Sequence, residues 1–217
     1  MDDIRQSLIS RMAVEFGSTF LTELEERITA KFQAASNYVS AHCSKEMRPH
    51  VEGTMQHVHI VDEVVGAASH AGLEASRAPT SPKGHHYAKV VSHTFVMGCI
   101  RDKSKHWNNA KHKKELGKLN EAVEPFTQDM FEACQVGTTS DKIFLVATVT
   151  ENPLQQNLPY IAFIVPFSDL TNFHMRASLD EIRAACHSNT LSSDDLEPLP
   201  FLKKRLGDIE GGNSTAG

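Results

Sequence analysis

Apolar residues recur along the first 71 positions at helical spacing. Ile4, Leu8, Met12 and Phe16 step by four, with Ile9 and Ala13 beside them, which predicts a helix over 2–16. Gly17 interrupts the stripe, and Ser18 or Thr19 supplies a hydroxyl to cap a second helix running to about His42. Its inward face is Phe20, Leu21, Leu24, Ile28, Phe32, Ala35 and Val39, so the pair reads as a helical hairpin. Val51, Met55, Val58, Val61, Val65 and Ala68 predict a third helix over 49–71, opened by Pro49, whose missing N–H costs nothing in a first turn. Gly53, Gly66 and the β-branched content leave a strand near 57–65 as the alternative.

The period then changes. Ser76–Gly84, SRAPTSPKG, reads as a loop. Tyr87–Ile100 is strand-like, and two runs of ordinary strand length favour a hairpin bent at Ser92-His93-Thr94. Helices are expected at about 105–122 and, after Pro125, at 126–135, with Phe126, Met130 and Phe131 inward and Gly137 as the stop. Ile143–Thr150 and Tyr160–Phe167 are continuous apolar runs joined by a short proline-containing connection. They predict an antiparallel hairpin covered on at least one face, with Pro166 marking an edge. Ser178-Leu-Asp-Glu181 is a capping box that opens a helix to about His187.

The expected fold is therefore α+β. An antiparallel sheet of three to four strands (about 86–100, 142–150 and 159–167) is packed by the N-terminal helices and the 105–135 helices, and the 179–187 helix closes an edge. The expected organisation is a single domain over 1–200, helical over 1–75, with sheet and helices over 86–187. Beyond Ser188 only Leu199–Leu202 is apolar, and 203–217 reads as a disordered tail.

Charge alters this picture. The chain of 217 residues has a net charge of −5, yet residues 101–118 hold Arg101, Lys103, Lys105, Lys111, Lys113, Lys114 and Lys118 against Asp102 and Glu115. This segregation is what a protein meeting an anion shows, and it is also what a solvated helix face looks like. Together with Arg77, Lys83 and the single tryptophan, Trp107, the lysines form a candidate nucleic-acid surface: cations for phosphates, an aromatic ring for exposed bases.

Histidine is abundant, at 12 residues. His57, His59 and Glu63, with His85 and His86, are the candidates for a metal site. On a helix only His59 and Glu63 share a face, and none of them matches H-E-x-x-H. His106-x-x-Asn109-x-x-His112 has the residue types of a histidine–asparagine nuclease but lies in a helical pattern. A restriction-type nuclease core wants an aspartate and E-x-K on neighbouring strands, and Ile143–Thr150 and Tyr160–Phe167 hold no acid. No P-loop, dinucleotide fingerprint or nucleophile elbow occurs.

The four cysteines, Cys43, Cys99, Cys134 and Cys186, are widely spaced, which suits free thiols in a reducing compartment. The acidic N-terminus reads as no signal peptide, and no run is long enough to span a membrane, so a cytoplasmic location is expected. The functional expectation is a binding or regulatory protein contacting nucleic acid or another anion through its basic helix, without a cofactor. The alternatives are a histidine- or metal-dependent hydrolase, and a subunit that forms a homodimer or joins a protein partner.

Overall fold

The computed structural model describes residues 2–80, 84–101, 110–124, 142–152 and 158–188. Among the described residues it is an α+β arrangement of four helices and one six-stranded open sheet. The expected helix over 126–135, the apolar patch at 199–202 and the tail at 203–217 lie outside the described residues.

Helix α1 (Asp2–His42) is two helices joined at Gly17, whose φ of 70° and ψ of 166° take the chain out of helical geometry in the left-handed half that favours glycine. The bend brings both arms onto the C-terminal helix α4 (Leu179–Ser188). Arg5 pairs with Glu181 and Glu25 with Arg183, two residues apart on α4, although a straight helix would separate Arg5 from Glu25 by about 30 Å. Helix α2 (Arg48–His70) packs on α1, burying Ile60, Val61, Val64, Val65, Ala67 and Ala68. The strand alternative at 57–65 is thereby removed: the apolar stripe at helical spacing has α1 on one side and the sheet on the other.

The strands are β1 (Glu74–Pro79), β2 (His86–Val91), β3 (Phe95–Arg101), β4 (Ile143–Glu151), β5 (Pro159–Pro166) and β6 (Phe173–Ser178), and they lie side by side in chain order. The expected three to four strands become six because polar β1 and short β6 add to either edge. The sheet is mixed. β3 and β4 run parallel, in the register Phe95↔Ile143 to Arg101↔Val149, while every other neighbouring pair is antiparallel. The 92–94 bend and the β4–β5 hairpin stand as expected from the sequence. Pro166 is not at an edge, since β6 pairs alongside it. A register shift between Val165 and Pro166 takes up the missing donor.

Side-chain alternation divides the core. Phe95, Met97, Cys99, Ile143, Leu145, Ala147, Ile161, Phe163 and Val165 face α1 and α2. Phe16 sits under the centre, its ring 5.8 Å from Phe95 and 6.4 Å from Phe163. On the opposite face Ile100, Phe144 and Val146 meet Leu116, Leu119 and Leu170. Leu116 and Leu119 come from α3 (Lys111–Gly117) and the 3-10 turn that follows it, Lys118–Ala122. Of the helix expected over 105–122, residues 105–109 lie outside the described residues, and α3 begins at Lys111 after an extended Ala110, with ψ at 130°. The capping box forms reciprocally: Glu181 N–H donates to Ser178 Oγ at 3.1 Å, and Ser178 N–H donates to Glu181 Oε2 at 2.8 Å. α4 does not close a sheet edge, however. Its buried residues, Leu179 and Ile182, join the core it shares with α1.

Candidate nucleic-acid interface

One end of the sheet gathers the charged and aromatic residues. In the β1–β2 pair Pro79 lies opposite His86, so the connecting turn, which carries Gly84 and His85, projects from this end. β2 begins here and β3 ends here, since the antiparallel register Lys89↔Gly98 runs on toward His86 and Arg101. The parallel strands β3 and β4 both present their C-termini, Arg101 and Glu151, to the same side. α2 runs beneath and α3 above.

Arg101 is the best-anchored cation. Its side chain is 15% exposed, and it reaches Glu151 at 3.5 Å. It also lies across α2 at Gly53, where a Cβ would come within 2.8 Å of its guanidinium. Desolvation pulls its pKa below the ordinary arginine value, against the raising influence of Glu151 and Glu52. Lys111 and Lys114 on α3 and Lys118 in the turn after it are exposed, while His112 and Lys113 turn partly inward. The His112 ring stacks on Tyr87 of β2, with centroids 4.2 Å apart and planes 16° from parallel. Lys111 has Glu115 at 4.0 Å, an exposed i,i+4 pair of small energetic weight.

Below the β1–β2 turn, His57, Val58, Val61 and Asp62 of α2 face Arg77, Gly84, His85 and His86 across a groove of about 210 Å³. The His57 and His85 rings meet edge to face, with centroids 6.5 Å apart. Arg77 donates to Asp62 at 2.6 Å. His57 is held below the ordinary imidazole value first by desolvation and then by the positive charges of His85, Lys113 and Arg101. It therefore links the groove to the basic helix: the charge of α3 and that of β3 are both felt at α2.

The sequence-derived residues are thus sorted. Arg77, His57, His85 and His86 line one groove. Lys113 acts on it from α3. Lys111, Lys114 and Lys118 occupy the outer face of that helix and turn. Lys83, Lys103, Lys105 and Trp107 lie outside the described residues. The metal candidates separate. Glu63 points to α1, where Arg27 at 3.6 Å and Lys31 at 3.7 Å hold it, and neither Glu63 nor His59 is in the lining that His57 and His85 share. Among the described residues no group of three or more histidine, cysteine, aspartate or glutamate side chains is placed to hold a metal ion. Tyr87 and Arg101 were not among the sequence-derived site residues. Their signal was positional, an aromatic and a cation at the ends of two strands that a hairpin sets side by side.

No protein-family model, curated protein or solved structure matches the chain. Among the described residues no helix is long and apolar enough to cross a membrane.

Proposed function

We propose that this protein is a binding protein for nucleic acid, engaging it at the end of the sheet where β1, β2, β3, α2 and α3 meet. The observation that carries the reading is convergence. Arg77 of β1 lines one groove with His57 and His85, and Arg101 of β3 and Lys113 of α3 act electrostatically on the same His57. Elements distant in sequence bring positive charge and ring systems together although the whole chain is net negative, at −5. That is the focusing a phosphate backbone requires of an acidic protein.

Phosphates contact Lys111, Lys113, Lys114 and Lys118 along α3 and the turn after it. Arg101, fixed against Gly53, sets the register as a cation of defined position. The acids at this end, Asp62, Glu151, Glu115 and Glu52, offset part of that charge, Asp62 on Arg77 at 2.6 Å, Glu151 on Arg101 at 3.5 Å and Glu115 on Lys111 at 4.0 Å, which leaves Lys113, Lys114 and Lys118 as the main phosphate contacts. The free thiols of Cys43, Cys99 and Cys186 fit a reducing compartment and support a cytoplasmic location.

The test is binding of labelled DNA and RNA, single-stranded and duplex, across a salt series. Binding is expected at ~50 mM salt and should weaken as salt rises, because phosphate contacts release counterions. Changing Lys111, Lys113 and Lys114 together to glutamate should abolish it. A wild-type protein that binds neither polymer at ~50 mM salt would end this reading.

A further inference from the structure

We infer that the groove between α2 and the β1–β2 turn receives one unstacked nucleobase, so that the protein selects single strands over duplex. This rests on the nucleic-acid reading above and adds a specific occupant.

Size is the first argument. Pockets for drug-sized ligands run to roughly 300–1,000 Å³, whereas this groove is about 210 Å³, which suits a single flat ring system. The lining is the second. Val58, 50% exposed, lies open in the groove beside Val61, so α2 contributes an apolar strip between His57 and Asp62. The two imidazoles add ring surface. Because His57 and His85 meet edge to face at 78°, at least one of them has neither ring face covered by the other. Histidine is among the side chains on which extruded bases stack.

Charge decides between a base and a phosphate. Asp62 forms part of the lining, and its carboxylate repels a phosphate while accepting from an exocyclic amine. Arg77, held on Asp62, presents a donor beside that acceptor, a combination matched to a base edge. Desolvation first, and then His85, Lys113 and Arg101, disfavour the charged form of His57, which favours the neutral ring for stacking. The phosphates flanking the base then fall toward Lys113 and Arg101.

The test uses a short single strand carrying 2-aminopurine, whose fluorescence reports stacking, alongside a duplex of the same sequence. His57→Ala and His85→Ala each change an exposed residue, and retention of the fold is checked by thermal melting. The single strand should bind at least several-fold more tightly than duplex. Each alanine variant should weaken it by roughly tenfold, the scale of one stacked base, without changing the slope of log K against log salt. His57→Phe should restore both affinity and the fluorescence change. If the alanine variants bind within about twofold of wild type while the lysine-to-glutamate variant does not bind, the groove is not a base pocket and the nucleic-acid reading stands. If the wild type binds neither polymer at ~50 mM salt, both readings fall together.

Discussion

The side chain of Asn120 pairs with the backbone of Phe144 in both directions. Phe144 N–H donates to Asn120 Oδ1 at 2.7 Å, and Asn120 Nδ2 donates back to the Phe144 carbonyl at 3.0 Å. Nδ2 also donates to the Pro166 carbonyl at 2.7 Å, so one fully buried amide ties the start of β4 to the end of β5. It sits beyond Val146↔Ile164, where the β4–β5 ladder ends, and it supplies partners there that the ladder does not.

Asn120→Ala therefore leaves up to three buried backbone groups without a partner. Each such group costs about 1–3 kcal/mol, and a total loss near 3 kcal/mol is expected once local relaxation is allowed. Urea unfolding followed by circular dichroism measures it. A loss below ~1 kcal/mol would mean that water takes over the amide's role.

Glu15 performs a similar task at the β2–β3 bend. Its carboxylate accepts from Ser92 Oγ at 2.6 Å, from Thr94 N–H at 2.8 Å and from Thr94 Oγ1, with Arg11 at 3.9 Å, all largely buried. Removing one partner of a buried charged set costs about 3–5 kcal/mol. Glu15→Ala should fall in that range, and Glu15→Gln, which keeps an acceptor, should cost less. The order of the two denaturation midpoints checks this, and Gln no better than Ala would contradict it.

Stability should also depend on His174. Burial pushes its pKa down to about 4, with Glu124 opposing. The unfolded chain, titrating near 6.5, binds this proton when the folded chain does not. Between about pH 6.5 and 4 the fold therefore loses stability as pH falls, and above that window the contribution is fully present. Allowing for partial solvent access, the effect is about 2 kcal/mol. Denaturation at pH 7 and pH 5 should show a smaller difference in His174→Gln than in wild type; an equal difference would refute the assignment.

Two glycines should respond oppositely to alanine. At Gly53 the new Cβ meets only the flexible end of Arg101, at 2.8 Å, while helix propensity gains about 1 kcal/mol, so overall stability should change by less than that. At Gly117 the Cβ meets the Ser168 carbonyl at 2.7 Å and Leu170 at 2.9 Å, and backbone cannot swing aside. Gly117→Ala should cost about 2 kcal/mol. Melting temperatures of the two variants side by side decide the matter.

Much of the fold was legible because burial imposes period. The residues of α2 that go inside are the valines, isoleucine and alanines that step by three and four, and the β4 run is apolar throughout because both of its faces are covered. Ser76–Gly84 reads as loop because the half-buried residues of β1, Ala75 and Ala78, are three apart and give no strand alternation; its identity comes from pairing with β2. β6 has only Met175 and Ala177 to show for its inward face. The parallel step was the harder matter. Its clue was a connection from 102 to 142, long enough to cross over, against the short link between β4 and β5. The site was less legible still. A lysine run does not say which lysine turns inward, and the meeting of His57 with His85 depends on a turn folding back over α2.

The parallel junction between β3 and β4 also divides the molecule in the order of its assembly. β1–β3 and β4–β6 are each strands joined by short links, able to zip locally, whereas the seam between them requires closure of a long loop. Phe16 touches Phe95 on one side of that seam and Phe163 on the other, so α1 has a complete partner surface only when both halves are present. Separately expressed fragments 1–101 and 102–217 would each expose half of a shared interior. Recovery of the fold on mixing them would make this a protein that reconstitutes across its seam.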